Sequence, residues 1–397
     1  MNDKRHREPA GTGQRWILIS ALVLAACGGG GGGNDDATSA GRVLPNVPIT
    51  GSGPTLGGCP MFPADAIYNT RIDDTTRFPA HAQSNAWVGL IGSGRRFHAD
   101  WGTNANPQQT ADYYGIPYNI VDGTAATTLW PVVSFDGNSD QTGYGGVPDE
   151  SDCARAGSSG YTVQRDCTAL AAPARRFPFP LDSLLKQENG ACGDAQTCGG
   201  ADHHVLVVEK GACRLWESYY AYKVGGQWYA YGTSAWDLNS NAQRPAGWTS
   251  ADAAGLPILP LLARADEAST GEIRHALRVT FLQSVMARSY VWPARHQAGS
   301  SGGSIPFGAL LRLKSSVTIP ATWTPQAQAL ARAMQRYGLY IADNGSNLYV
   351  QGDPSSAWDA NTISQIQTLT MGQFEFVNLN AITGRSGFDA NSLRASW

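Results

Sequence analysis

Five polar clusters stand at the ends of apolar runs: His98-Ala99-Asp100-Trp101-Gly102, Glu150-Ser151-Asp152, Asp202-His203-His204, Arg295-His296 and Asp343-Asn344-Gly345-Ser346. If those strand ends converge, they build a cleft of carboxylates and imidazoles with an arginine. Hydrolysis of a glycosidic bond commonly uses two carboxyl groups, one held protonated as acid and the other ionised as base or nucleophile. Glu150 and Asp152 lie two residues apart, so in an extended segment they point the same way. Two carboxylates that close raise each other's pKa, which suits an acid/base pair. In this scheme Glu150 or Asp152 is the acid and Asp100 or Asp202 the base or nucleophile. His204 belongs to the same catalytic group; it and His296 orient substrate, and Arg295 contacts a sugar hydroxyl or carboxylate. In a lyase variant, His204 or His296 abstracts the proton next to a uronate carboxylate that Arg295 neutralises. The plainer alternative for Glu150 and Asp152 is a solvated or calcium-binding acidic loop.

Twelve tryptophans are a generous supply. Trp101, Trp216 and Trp236 sit next to polar or small residues and are candidates for stacking on sugar rings, with His98, Asp343 and Asn344 as further substrate contacts; core packing is the alternative. Glu217 lies in the middle of a strand and is expected to pair with an arginine, Arg278 or Arg312. A metal-dependent hydrolase would instead draw on His98, Asp100, Asp202, His204 and His296. No phosphate-binding loop and no His-Glu-x-x-His helix occurs. Gly299 to Gly303 matches Gly-x-Ser-x-Gly, but it is followed by another strand and not by the helix a nucleophile elbow needs. The small-residue stretch Gly247 to Pro257 allows close backbone approach. It is expected to form a tight corner, with Thr249 or Ser250 capping a short turn.

The elements that must position these groups are mostly short strands rich in β-branched and aromatic residues. They fall at Val205–Val208, Arg214–Tyr222, Trp228–Tyr231, His275–Phe281, Ser289–Trp292, Ala309–Lys314, Leu339–Ala342, Asn347–Val350 and Phe374–Val377. One helix is clear: Thr324 caps it, Pro325 opens it, Ala327, Leu330, Met334 and Tyr337 repeat along one face, and Gly338 ends it. A weaker one covers Thr362–Leu369. Residues 137–200 read as long loops. Without a strand–helix alternation, the expected fold is mainly β: a β-sandwich or jelly-roll with disulfide-stapled loops and one or two packed helices.

The N-terminus divides from this domain. Lys4, Arg5, Arg7 and Arg15 precede an apolar run from Trp16 to Ala26, too short for a permanent membrane span. Leu24-Ala25-Ala26-Cys27 resembles a bacterial lipoprotein cleavage box. That resemblance implies a signal peptide at 1–26, lipidation of Cys27, and, with Gly28 following it, an outer-membrane lipoprotein of the bacterial cell envelope. Residues 27–55 then carry the lipid anchor and a Gly-rich flexible tether, and 56–397 form one β-rich domain. Removing 1–26 takes away four basic and two acidic side chains and moves the formal net charge from −3 to −5. Such a chain is a poor partner for nucleic acid. The expected partner is a polysaccharide or other glycan, bound by a monomer that needs no cofactor beyond a structural calcium ion at most.

Six cysteines remain after Cys27, an even number that reads as disulfides in an exported chain. The local pairs are Cys153–Cys167 and Cys192–Cys198, which leaves Cys59–Cys213. Zinc on Cys192, Cys198, His203 and His204 is the competing arrangement, but the spacing fits no common finger.

The stretch from about Phe62 to Phe376 resembles a family of exported bacterial proteins. The resemblance is carried by His98 to Gly102, Gly115 to Tyr118, Glu150 to Asp152, Asp202 to His204, Trp248 to Pro257, His275 to Arg278, Ala294 to His296 and Ala342 to Ser346. His203 departs from the pattern, which has arginine there, and extra sequence follows Asp152 and surrounds Cys192–Cys198. The resemblance implies that the polar clusters share one surface, and it brings no activity with it. The leading expectation is a glycoside hydrolase, with a polysaccharide lyase as close variant and a non-catalytic glycan-binding or adhesion lipoprotein as the rival class.

Overall fold

A computed structural model of the chain describes residues 53–109, 112–136, 145–190, 202–299 and 302–396. Cys27, the tether up to residue 52 and the Cys192–Cys198 pair lie outside the described residues. In chain order the strands that position the site are β1 (His98–Asp100), β2 (Tyr118–Asp122), β3 (Val205–Lys210), β4 (Arg214–Tyr219), β5 (Gly232–Asp237), β6 (Leu277–Phe281), β7 (Leu310–Leu313), β8 (Leu339–Asn344), β9 (Tyr349–Gln351) and β10 (Phe374–Phe376). The fold is mainly β, as expected. Of the sheets among the described residues, the two largest have the orders β5-β4-β3-β2 and β10-β7-β8-β6-β9-β1. Both are mixed: β2 pairs parallel with β3, and β6 with β8.

The Val205-Leu206-Val207-Val208 run of β3 is apolar on both faces because both faces are covered. Leu206 and Val208 join Leu215 and Trp236 in the large core that includes the second sheet. Val205 and Val207 join Trp216, Phe177 and Phe179 in a separate cluster on the other side. Strand parity therefore separates His204 from the outer cluster and aims it inward.

Among the described residues five α-helices pack around the sheets: α1 (Ser84–Ile91), α2 (Ala265–Ser269), α3 (Pro325–Arg336), α4 (Ala360–Ile366) and the single turn α5 (Asn380–Thr383). In α3 the Thr324 hydroxyl accepts the Ala327 N–H, and Ala327, Leu330 and Met334 are buried, as the spacing predicts. α4 ends earlier than predicted, and α1 was not predicted.

The Cys59–Cys213 and Cys153–Cys167 disulfides both form, with Cα atoms 5.2 Å and 5.3 Å apart. Residues 152–165, expected as loop, form a hairpin instead: Asp152–Gly157 pairs with Gly160–Arg165, and Cys153–Cys167 closes its open end. Among the described residues, no helix is long and apolar enough to cross a membrane.

Candidate functional site

A cleft of about 620 Å³ opens beside the first sheet. Glu150, Asp202, His296, Asp343 and Asn344 line it, so residues from four of the five polar clusters do share one surface. The remaining wall is aromatic, from Tyr219, Tyr220 and Tyr231, and the floor is the small-residue loop Thr249–Ala253.

That loop is built by its own sequence. The Ser250 hydroxyl donates to the Asp252 and Leu256 carbonyls and accepts the Asp252 N–H, at 2.9, 2.6 and 2.9 Å. Gly255 has φ +68°, and a Cβ there would meet the Trp248 carbonyl oxygen at 2.7 Å and Arg295 Cβ at 3.0 Å. Only glycine fits both the backbone and the space. The turn leaves the Asp252 carboxylate buried and held at two points by Arg278, at 3.0 and 2.6 Å.

Asp343 reaches the same place from β8. The pairing of β6 with β8 runs Val279↔Ile341 and then Thr280↔Asp343, so Ala342 is an extra residue. A bulge re-aims the side chains that follow it. Without it, Asp343 would share the apolar face of Ile341; with it, Asp343 lies on the face of Thr280 and Arg278. The Ala342 carbonyl accepts the Ala254 N–H at 2.8 Å, which docks the loop on the bulge. Burial raises the Asp343 pKa well above the ordinary carboxylate range, and the charge of Asp252 and a hydrogen bond to it raise it further. Burial and Asp252 thus both favour the protonated form of Asp343.

Glu150 closes a single helical turn, Pro148–Glu150, and its Oε2 accepts the Thr249 N–H at 2.9 Å. Asp202 and His204 form the leading edge of β3. The Tyr220 N–H donates to the Asp202 carbonyl, and the Glu188 N–H to the His204 carbonyl, at 2.8 and 3.1 Å. Asp202 is open to solvent at the cleft yet crowded on its other sides; burial there and the charge of Glu188 raise its pKa.

Both ring nitrogens of His204 face acceptors: Nδ1 lies 2.6 Å from Glu188 Oε2, and Nε2 2.9 Å from the Ala251 carbonyl oxygen. Burial opposes a charge on the ring, but Glu188 outweighs it and lifts the His204 pKa to about 9. Burial likewise opposes ionisation of Glu188, and His204 overrides it. The ring is therefore an imidazolium that donates from both nitrogens. His204 cannot act as general base in that state, which removes its role in the lyase scheme. His296 Nδ1 bonds the Ala253 carbonyl oxygen at 2.8 Å, so in the neutral ring the proton is on Nδ1 and Nε2 is the acceptor.

Several expected site residues are elsewhere. Asp152 does not face the cleft with Glu150. The helical turn breaks the two-residue parity, and Asp152 is fully buried, paired with Arg165 at 2.8 Å and with Arg244, and accepting the Ala235 N–H. It is a structural counter-ion. Trp216 is fully buried and donates its indole N–H to Glu209. Trp101 packs on Trp358, and Trp236 lies against Arg244; both are buried, so none of these three indoles offers a face to a sugar. Arg295 spends its guanidinium on the Arg244 and Ala390 carbonyls and on Asn391.

His98 packs its ring against Tyr349 and lines a different surface hollow, with Arg95 and Arg96. Asp100 does not line the cleft; it is half-buried, accepts a hydrogen bond from Gln351, and has its pKa raised by burial. Glu217 pairs with no arginine, since Arg278 holds Asp252 and Arg312 holds Glu375. Its carboxyl instead accepts the N–H groups of Ile258 and Leu259.

Glu188, Asp202 and His204 each offer one ligand atom, all within 4.8 Å of one another. Two carboxylates and an imidazole suit a transition ion such as zinc or manganese better than calcium, which takes six to eight oxygens. The ring is oriented for that role by its Ala251 bond, but His204 must first lose the Nδ1 proton it shares with Glu188.

The residues missed in the sequence are Glu188, Asp252 and the three tyrosines. Asp252 and Arg278 both stand within the stretches that carry the family resemblance; Glu188 lies in a region without periodicity and had no signal. Compared with family models, with curated proteins and with solved structures, the chain matches none.

Proposed function

We propose that this chain hydrolyses glycosidic bonds in the Glu150–Asp343 cleft. The observation that carries the proposal is the placement of Asp343 in one cleft with the open carboxylates Glu150 and Asp202, where burial and the neighbouring Asp252 favour its protonated form. A protonated carboxyl can deliver its proton to the leaving oxygen of a sugar, and an ionised one can activate water or attack the anomeric carbon. Asp343 takes the acid role. Glu150, fixed through one oxygen by Thr249, takes the base or nucleophile role with the other. Asp202, Asn344 and His296 bind hydroxyls, and Tyr219 and Tyr231 provide the apolar wall for the sugar rings.

Hydrolysis is favoured over lyase chemistry by the cation count: among the described residues, no arginine or lysine lines the cleft to neutralise a uronate carboxylate. A metal at Glu188, Asp202 and His204 would sit at the edge of this scheme and takes no step in it. The lipoprotein-like N-terminus fits an enzyme tethered to the cell envelope, working on a glycan in reach of its anchor. The test is a polysaccharide panel assayed for new reducing ends, with Asp343→Asn and Glu150→Gln as controls. Binding without cleavage by the unaltered chain would instead support the glycan-binding rival.

A further inference from the structure

The charge of the cleft narrows its substrate. Glu150 and Asp202 line it as open carboxylates, Asp343 lines it as the acid, and Asp252 in its floor is paired with Arg278. The nearby arginines are committed elsewhere: Arg278 to Asp252, Arg244 to Asp152, and Arg295 to backbone carbonyls and Asn391. Beyond position 52, the residues outside the described set contain Asp140 and Asp194 and no lysine or arginine. Among the described residues, the lining group nearest to a cation is His296, and the charge of His204 behind the floor is paired with Glu188.

The tyrosine wall adds to the same preference. The Tyr219 ring lies 5.6 Å from Tyr231, edge to face, and 6.1 Å from Tyr220. Burial raises the Tyr219 pKa, so its phenol stays uncharged. Aromatic faces attract cations, and a concave wall of low dielectric focuses the field of the carboxylates beside it. Ring faces together with carboxylates recognise an ammonium group; they repel a carboxylate or sulfate.

We propose that the glycan carries free amino groups, as in a polymer of glucosamine units, and not uronate or sulfate groups. This inference rests on the glycan-cleft reading and adds the substrate class. In it, Asp202 takes the ammonium group of a unit flanking the cleaved bond, Glu150 keeps its base or nucleophile role, and Tyr219 and Tyr231 take the ring faces.

The test measures binding by calorimetry, in the unaltered chain and in Asp343→Asn, with three probes: a glucosamine hexamer, its fully N-acetylated counterpart and an oligogalacturonate. The amine-bearing hexamer should bind about tenfold or more tighter than the acetylated one at low salt. The gap should shrink as salt is raised and narrow again in Asp202→Asn. Equal binding of the two hexamers, or tighter binding of the oligogalacturonate, overturns the inference and leaves the glycan cleft standing. If none of the three binds and no panel polysaccharide is cleaved, the glycan reading itself fails, and this inference with it.

Discussion

Asp343 and Asp252 arrive from unrelated elements, a bulged strand end and a small-residue loop, and line one cleft beside the buried Arg278, where the charge of Asp252 favours the protonated form of Asp343. Asp252 holds Arg278, and its negative charge helps to keep the proton on Asp343. The proposed acid role of Asp343 rests on that division of labour between two neighbouring carboxyls.

It predicts a pH effect with a definite sign. An acid catalyst works only while protonated, so activity falls as pH rises through the Asp343 pKa. Asp252→Asn removes the charge and the acceptor that raise that pKa, and it leaves Arg278 to lower it. The alkaline limb of the pH–rate profile should therefore move to lower pH. An unmoved limb, with the variant folded, would mean that the limb reports another group.

Glu150 and Asp152 should behave oppositely although only Ser151 separates them. Glu150→Gln should lower kcat/KM by about 10²-fold or more with little change in melting temperature. Asp152→Asn strips the counter-charge from Arg244, which is buried with it. Breaking such a pair costs about 3–5 kcal/mol, so thermal or urea unfolding should report a large loss. Any folded fraction should keep its substrate affinity.

Glu217 makes a stability prediction. Burial pushes its pKa up to about 7 from an ordinary 4.5, against the pull of the Leu259 and Ile258 N–H groups. Below pH 4.5 the folded and unfolded chains both hold the proton, and the contribution is fully present. As pH rises toward 7 the unfolded chain gives it up first, so stability is lost across that window. Glu217→Gln should remove this component. The variant's melting temperature should gain on the parent's between about pH 5 and about pH 8; a difference independent of pH would show that Glu217 titrates normally.

The Cys59–Cys213 bond ties the start of the domain to the turn before β4 across a sequence separation of 154. Closing so long a loop is worth about 5 kcal/mol by chain entropy. Replacing both cysteines by serine should lower the urea midpoint far more than the same change at Cys153 and Cys167, which are 14 apart.

Much of this was legible in the sequence because it depends on local pattern. The α3 cap and stripe, the β3 run and two of the disulfides follow from spacing and from the parity of cysteines in an exported chain. The convergence of Glu150, Asp202, His296 and Asp343 followed from placing polar clusters at strand ends. What was not legible depends on long-range geometry. The Ala342 bulge reverses the face of Asp343, and nothing in Leu-Tyr-Ile-Ala-Asp announces it. The turn at Glu150 undoes the parity that paired it with Asp152. The buried tryptophans show that polar neighbours in sequence do not make an aromatic exposed in space. Tyr219 and Tyr231 reach the cleft because β4 and the approach to β5 end at its rim.

The most direct test of the account is the rate of reducing-end release by the unaltered chain and by Asp343→Asn, on the polysaccharide that the panel identifies. The account predicts steady release without an ultraviolet-absorbing unsaturated product, and a loss of about 10²–10⁴-fold in the variant with binding retained. Release at the parental rate by Asp343→Asn, or an unsaturated product from the unaltered chain, would contradict it.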